Sequence, residues 1–257
     1  MRLGNAIADL LFPPRCVACH RFGAWLCAGC LADIRRIRPP VCAHCGAALS
    51  PRGVESGGGA RPGVGARRAE FEGAAGELLP LCAQCQKAPF QLDGLRACAF
   101  HSGPLRKAIH QFKYEGLRSL AAPLGLLMSQ AWPEVAPDDG FDAIVPVPLH
   151  RARQRERGYN QAALLAREFS PSVHCPVVED ELVRVRATAP QIDLSVEERR
   201  ANVQHAFKCS RGSLAGKRVL LVDDVCTTGA TVEAAAAALY QAGAASVWCY
   251  TLARAGS

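Results

Sequence analysis

The stretch that decides the fold is VLLVDDVCTTGAT, residues Val219 to Thr231. Arg218 to Val222 reads as a buried apolar strand, Asp223 and Asp224 sit at its end, and Thr227-Thr228-Gly229-Ala230-Thr231 opens an Ala-rich helix predicted to run from Ala230 to Ala242. A strand that turns directly into a helix aims several unpaired N–H groups and the positive end of the helix dipole at one point, where a monophosphate binds. Threonine hydroxyls add donors there. Gly229 spares the backbone a Cβ, and the two carboxylates are placed to accept hydrogen bonds from ribose hydroxyls. A generic turn with threonine caps explains neither the adjacent Asp pair nor the Thr-Thr-Gly-Ala-Thr order. The chain has no Gly-x-x-x-x-Gly-Lys motif and no Gly-x-Gly-x-x-Gly after a strand, which sets aside nucleotide triphosphatases and dinucleotide-binding folds.

Outward from this motif, strands alternate with helical patterns from about Gln91 onward, which predicts βαβ units and a parallel sheet. Leu105 to Trp132 reads as helical, Ala143 to Val147 as a strand ended by Pro146 and Pro148, Asn160 to Phe169 as a helix, and Ser246 to Leu252 as a last strand. The expected division is a Cys-rich unit over residues 1–90 and an α/β domain over 91–257.

Eight of the 13 cysteines fall into four Cys-x-x-Cys pairs within the first third. Such spacing belongs to metal ligands, whereas a redox Cys-x-x-Cys sits singly beside a βαβ unit. Cys16, Cys19, Cys27 and Cys30 would supply four thiolates to one tetrahedral Zn²⁺, and Cys42, Cys45, Cys82 and Cys85 repeat the pattern. The spacing leaves open whether the knuckles pair in order or interleave. Closed four-cysteine sites have no open coordination position, so their role is structural. Between the last two pairs, residues of about 50–78 form a Gly-, Ala- and Arg-rich insertion that cannot bury enough apolar surface to offset its ordering entropy. His20 and His44 lie beside knuckles and read as surface residues. Cys98, Cys175, Cys209 and Cys249 read as ordinary buried thiols, and Cys226 as a packing residue.

Composition fits this division. Hydrophobic residues make up 49% of 257 residues, an ordinary globular balance. Thirty Lys and Arg against 23 Asp and Glu give a net charge of +7, which suits a polyanionic ligand, nucleic acid or pyrophosphate alike. No apolar run approaches the ~20 residues that span a bilayer, and no signal-like start is present, so a cytoplasmic location is expected.

Together with Phe112-Lys113-Tyr114, Val145-Pro146-Val147-Pro148-Leu149-His150, Arg157-Gly158-Tyr159-Asn160-Gln161 and the segment Arg184 to Phe207, the motif resembles the ComF family: a double zinc ribbon followed by a type I phosphoribosyltransferase domain, a parallel sheet flanked by helices. The resemblance implies binding of phosphoribosyl pyrophosphate with Mg²⁺ at Asp223, Asp224, Thr227, Thr228, Gly229, Ala230 and Thr231. It also implies a pyrophosphate loop over Pro148 to Gly158, holding Arg151, Arg153, Arg155 and Arg157. Arg184, Gln191, Arg199 and Asn202 would lie on a flexible loop that closes over the ligand. Arg157, Arg184, Arg199 and Lys113 are the candidate catalytic residues, for transfer of phosphoribose to an acceptor the sequence does not name. The family name implies a setting in competence and DNA uptake. Two other functions fit the same residues: a phosphoribosyl pyrophosphate sensor without turnover, or a zinc-ribbon module binding single-stranded DNA or DNA-uptake proteins.

Overall fold

A computed structural model describes residues 13–49, 80–135, 140–187, 205–210 and 212–256. The elements are α1 (Ala28–Ala32), α2 (Ala83–Lys87), β1 (Gly94–Phe100), α3 (Gly103–Tyr114), a 3₁₀ turn (Arg118–Leu120), α4 (Ala121–Val135), β2 (Ala143–Pro146), α5 (Arg151–Arg157), α6 (Gln161–Val173), β3 (Leu182–Arg184), β4 (Phe207–Cys209), β5 (Arg218–Cys226), α7 (Ala230–Gln241) and β6 (Ser246–Arg254).

Four strands form one parallel sheet in the order β1-β6-β5-β2, and β3 pairs antiparallel with β4. The strand alternation sends residues to two cores. Leu220 and Val222 of β5 join Tyr250 and Leu252 of β6 under α3, α4 and α6. Val219, Leu221, Val247 and Cys249 face α7 and the small hairpin on the other side. Burial of both faces is why the strands read as unbroken apolar runs. The alanines of α7 let that helix lie close to the sheet, with Ala235 and Ala236 fully buried. The first Cys-rich knuckles are not set apart from this body: Cys16, Leu26, Cys30 and Ile34 share the core of α3.

Several elements differ from expectation. The helix read over Leu105 to Trp132 is two helices, α3 and α4, broken where Gly116 takes a left-handed φ of +69°. The stretch Pro148 to Gly158, expected as a loop, contains α5, capped by His150 and closed by Gly158 at φ +77°. β5 continues past the Asp pair to Cys226, and β6 runs to Arg254. β1 escaped the reading of the sequence because Gly94, Arg96 and two alanines dilute its apolar pattern. Gly94 is there for contact: a Cβ on it would stand 2.3 Å from the Trp248 ring.

Candidate functional site

Parallel strands end together, and the cleft of this fold opens at the carboxyl ends of β1, β5 and β2, where open α/β sheets take their ligands. Its volume is about 530 Å³, and its walls come from α3 and α5, the start of α6, Arg184 of β3 and the end of β5.

Asp223 and Asp224 project at the end of β5. Asp224 is buried and paired to Lys113 of α3, with Nζ 2.6 Å from Oδ1. Burial works against the ammonium, yet the charge of Asp224 outweighs it and the Lys113 pKa is raised. Asp223 is half-buried, and its Oδ1 accepts the Asp224 N–H at 2.8 Å. Burial, with Asp224 adding to it, pushes its pKa up to about 7. One carboxylate is thus neutralised by an internal lysine, and the other is poised near neutrality.

Beyond the strand, Thr227 and Thr231 line the cleft. Thr228 is half-buried, its hydroxyl 3.5 Å from the Ala230 N–H at the start of α7, while Gly229 and Ala230 are buried. Gly229 caps α7 at φ +81°. The Cβ it lacks would collide with the ring of Phe90 at 2.2 Å, so the glycine answers a protein contact as well as a backbone angle.

Of the four arginines after β2, Arg153 and Arg157 face the cleft, while Arg151 and Arg155 are exposed and do not line it. The helical spacing of α5 makes the selection, since i and i+4 share a face. Arg157 donates to Gln161 Oε1 at 2.8 Å, and its guanidinium lies 5.3 Å from the Tyr114 ring centroid. Arg184 also lines the cleft and lies 5.4 Å from the Phe207 ring centroid. Burial first, and then Arg153, lower its pKa. Arg199, Gln191 and Asn202 fall outside the described residues, as does the 50–78 insertion; Arg184 and Phe207 pair with each other across β3 and β4.

The Arg157-Gly158-Tyr159-Asn160-Gln161 run has a positioning role that the sequence did not disclose. Tyr159 Oη and Gln161 Nε2 both donate to the Phe112 carbonyl, the latter at 3.2 Å, and Asn160 Nδ2 donates to the Val147 carbonyl at 3.1 Å. These bonds lock the end of α3, and with it Lys113, against the end of β2. Sequence reasoning also missed His101, Arg106 and His110, which line the far wall. Their signal was the i, i+4 spacing of Arg106 and His110 on α3, readable only once β1 had been placed before it. Cys226 is buried, and burial raises its thiol pKa to about 11, which suits packing and not nucleophilic attack. Cys98, Cys175 and Cys249 are buried as expected, whereas Cys209 is half-buried.

The knuckles pair in order. Cys16, Cys19, Cys27 and Cys30 bring their sulfurs together, as do Cys42, Cys45, Cys82 and Cys85, each set within 4.8 Å. Separations of 3.6 Å for Cys19–Cys27 and 3.7 Å for Cys45–Cys82 match the edge of roughly 3.8 Å expected for a tetrahedron with Zn–S bonds of ~2.3 Å. The Cys27 N–H lies 3.4 Å from Cys16 Sγ, and Arg254 Nη2 lies 3.6 Å from Cys45 Sγ, partners suited to thiolates. Both are structural zinc sites. His44, expected at the surface, is buried, with Nε2 3.0 Å from the Phe90 carbonyl oxygen.

Two Cys₄ ribbons joined to a parallel sheet with this cleft define a double zinc ribbon carried on a type I phosphoribosyltransferase fold. Residues 7–60 match the double zinc ribbon domain family, and residues 156–257 match the phosphoribosyl transferase domain family. Competence protein F of Haemophilus influenzae is 30% identical over 250 residues, 94% of this chain and 97% of that protein. DNA utilization protein YhgH of Escherichia coli (strain K12) is 35% identical over 173 residues, 65% of this chain and 76% of that protein. The chain belongs to the ComF family. Among solved structures, the glutamine phosphoribosylpyrophosphate amidotransferase of B. subtilis is similar at a TM-score of 0.35 and 23% identity, over 51% of this chain and 25% of that one, too loose a match to transfer any residue.

Proposed function

We propose that the cleft binds phosphoribosyl pyrophosphate and transfers its phosphoribosyl group to an acceptor. The observation that carries this reading is the Lys113–Asp224 pair, which fixes an acidic strand end beside the Thr227 to Thr231 turn. The 5-phosphate would sit at Thr227 and Thr231 and the backbone N–H groups around them. The ribose hydroxyls would donate to Asp223 and Asp224. Arg153 and Arg157 would take the pyrophosphate, and Arg184 and Arg199 would complete its cover. Asp223 and Asp224 line the cleft, and oxygen donors are what Mg²⁺ favours; these residues would hold the ion beside the pyrophosphate, where it would supply charge neutralisation.

In the reaction, the bond between the anomeric carbon and the pyrophosphate oxygen breaks, and its electron pair leaves with pyrophosphate. The arginines stabilise the charge that develops there. The lone pair of the acceptor forms the new bond from the opposite face, inverting the anomeric centre, and the acceptor gives up its proton to solvent. The wall formed by His101, Arg106, His110 and the exposed ring of Tyr114 is left for the acceptor.

A non-catalytic sensor would need the signature alone and would tolerate loss of Arg184 and Arg199. The relatives' names support a setting in competence and DNA use. In that setting a single-stranded DNA role draws support from Phe22, 60% exposed, with the Arg15 guanidinium 4.2 Å from its ring centroid. Among the described residues no helix is long and apolar enough to cross a membrane. Calorimetric titration of the zinc-loaded protein with phosphoribosyl pyrophosphate and Mg²⁺ tests the reading, alongside an Asp223→Asn, Asp224→Asn double variant. Binding that the double variant loses supports the site and opens a screen of nucleobases and amines for pyrophosphate release. Failure of every acceptor would favour the sensor, and absence of binding to the wild-type protein would remove both.

A further inference from the structure

The second Cys₄ ribbon is fastened to the Thr227 to Thr231 turn at three points. His44, inside the Cys42–Cys45 knuckle, stacks on Phe90 with ring centroids 6.2 Å apart and planes 27° apart, and its Nε2 is 3.0 Å from the Phe90 carbonyl oxygen. The edge of the Phe90 ring in turn fills the space above Gly229. The next residue, Gln91, donates its N–H to Glu233 Oε1 at 3.2 Å, in the first turn of α7. Arg254 donates to the Cys45 carbonyl at 2.5 Å, and it stands in register with Cys226, the residue from which the turn departs. The turn is therefore held at both ends and pressed in the middle by one zinc-closed unit.

We propose that Phe90 is a positioning residue for the phosphate-binding turn, and that the second ribbon acts through it to hold Gly229 in its left-handed conformation. This rests on the reading that the turn takes the 5-phosphate. A generic stabilising contact would affect every ligand of the cleft alike. Phe90 packs on Gly229, in the turn assigned to the monophosphate, and is not one of the residues that line the cleft with Arg153 and Arg157, so its loss is expected to be selective. Positioning errors near 1 Å cost as much as ~100-fold in well-oriented sites, and a turn that keeps its two end anchors should lose less, about tenfold.

The test uses the full chain with both zinc ions, and titrates ribose 5-phosphate and Mg²⁺-pyrophosphate separately into wild type, Phe90→Ala and Phe90→Leu. Zinc content and thermal unfolding are measured on each. Phe90→Ala is expected to keep two zinc ions, lose about tenfold in affinity for ribose 5-phosphate and keep its affinity for pyrophosphate, while Phe90→Leu, which keeps part of the contact, loses about threefold for ribose 5-phosphate and keeps its affinity for pyrophosphate. Equal weakening of both ligands, or no weakening of either, in the folded variants overturns the positioning role. Should Phe90→Ala not fold, Phe90→Leu decides: the same threefold selectivity supports the role, and unchanged or equal affinities overturn it. A wild-type protein that binds neither ligand would instead sink the reading of the cleft itself.

Discussion

Replacing Lys113 by Met keeps the stem that packs on α3 but removes the charge opposite Asp224. The carboxylate, 10% exposed in its side chain, is then left beside Asp223 with no lysine. Breaking a fully buried pair in this way costs about 3–5 kcal/mol, and the residual exposure of both partners reduces that to ~2–3 kcal/mol. For a chain of this size the loss is a fall of roughly 5–10 °C in Tm at pH 8. The cost should depend on pH with a definite sign. Asp223 already has a folded pKa of about 7 against an ordinary 3.8, and without Lys113 the Asp pair shifts further upward. An acid whose folded pKa lies above its unfolded value loses stability as pH rises from the lower value to the higher. The variant should therefore be closer to wild type at pH 5.5, where the pair holds a proton, than at pH 8. Calorimetric unfolding of wild type, Lys113→Met, Asp224→Asn and the double variant at both pH values measures this. The double variant should recover at least half of the loss, because both charges go together. A Lys113→Met protein equally destabilised at the two pH values, or a double variant whose losses simply add, would refute the coupling.

Affinity for phosphoribosyl pyrophosphate should rise by up to about tenfold per unit of pH as Asp223 ionises below pH 7, since only the carboxylate accepts from both ribose hydroxyls; titrations from pH 5.5 to 8 that are flat for wild type and Asp223→Asn alike would contradict this. Tyr159→Phe removes the hydroxyl that donates to Phe112 O and should cost roughly 1–3 kcal/mol of stability, measured by urea unfolding, with the m-value unchanged. Metal analysis should give two zinc ions per chain, falling to one in Cys42→Ser, whose second ribbon should become the first segment cut in limited proteolysis. Arg151→Ala, on the exposed side of α5, should leave pyrophosphate affinity within twofold, whereas Arg157→Ala should lower it at least tenfold, about 1.4 kcal/mol, in the same titration.

What the sequence disclosed was local. The β5 strand, the Asp pair and the threonine turn lie within 14 consecutive residues, Arg218 to Thr231, and the Cys-x-x-Cys knuckles advertise themselves by spacing alone. What it withheld depends on contacts between distant segments. The Phe112-Lys113-Tyr114 motif marks Lys113 as a candidate, but nothing in the sequence marks its partner on β5, which the fold supplies as Asp224 at 2.6 Å. Four alternating arginines resemble a basic loop; the helix that sorts them into two inward and two outward ones is only seven residues long and depends on His150 and Gly158 at its ends. His44 looks like a surface residue because it stands in a knuckle, and it is buried because Phe90 covers it. Gly229 was legible as a glycine a phosphate turn requires, while the aromatic ring above it was not, since Phe90 lies just after the second ribbon, far from Gly229 in sequence.

The most direct test of the central claim is a crystal structure of the zinc-loaded protein with phosphoribosyl pyrophosphate and Mg²⁺. The 5-phosphate is expected at Thr227 and Thr231, the ribose hydroxyls within hydrogen-bond reach of Asp223 and Asp224, and the pyrophosphate toward Arg153 and Arg157. A ligand bound with its pyrophosphate at the threonine turn, or bound away from the Asp pair altogether, would contradict it.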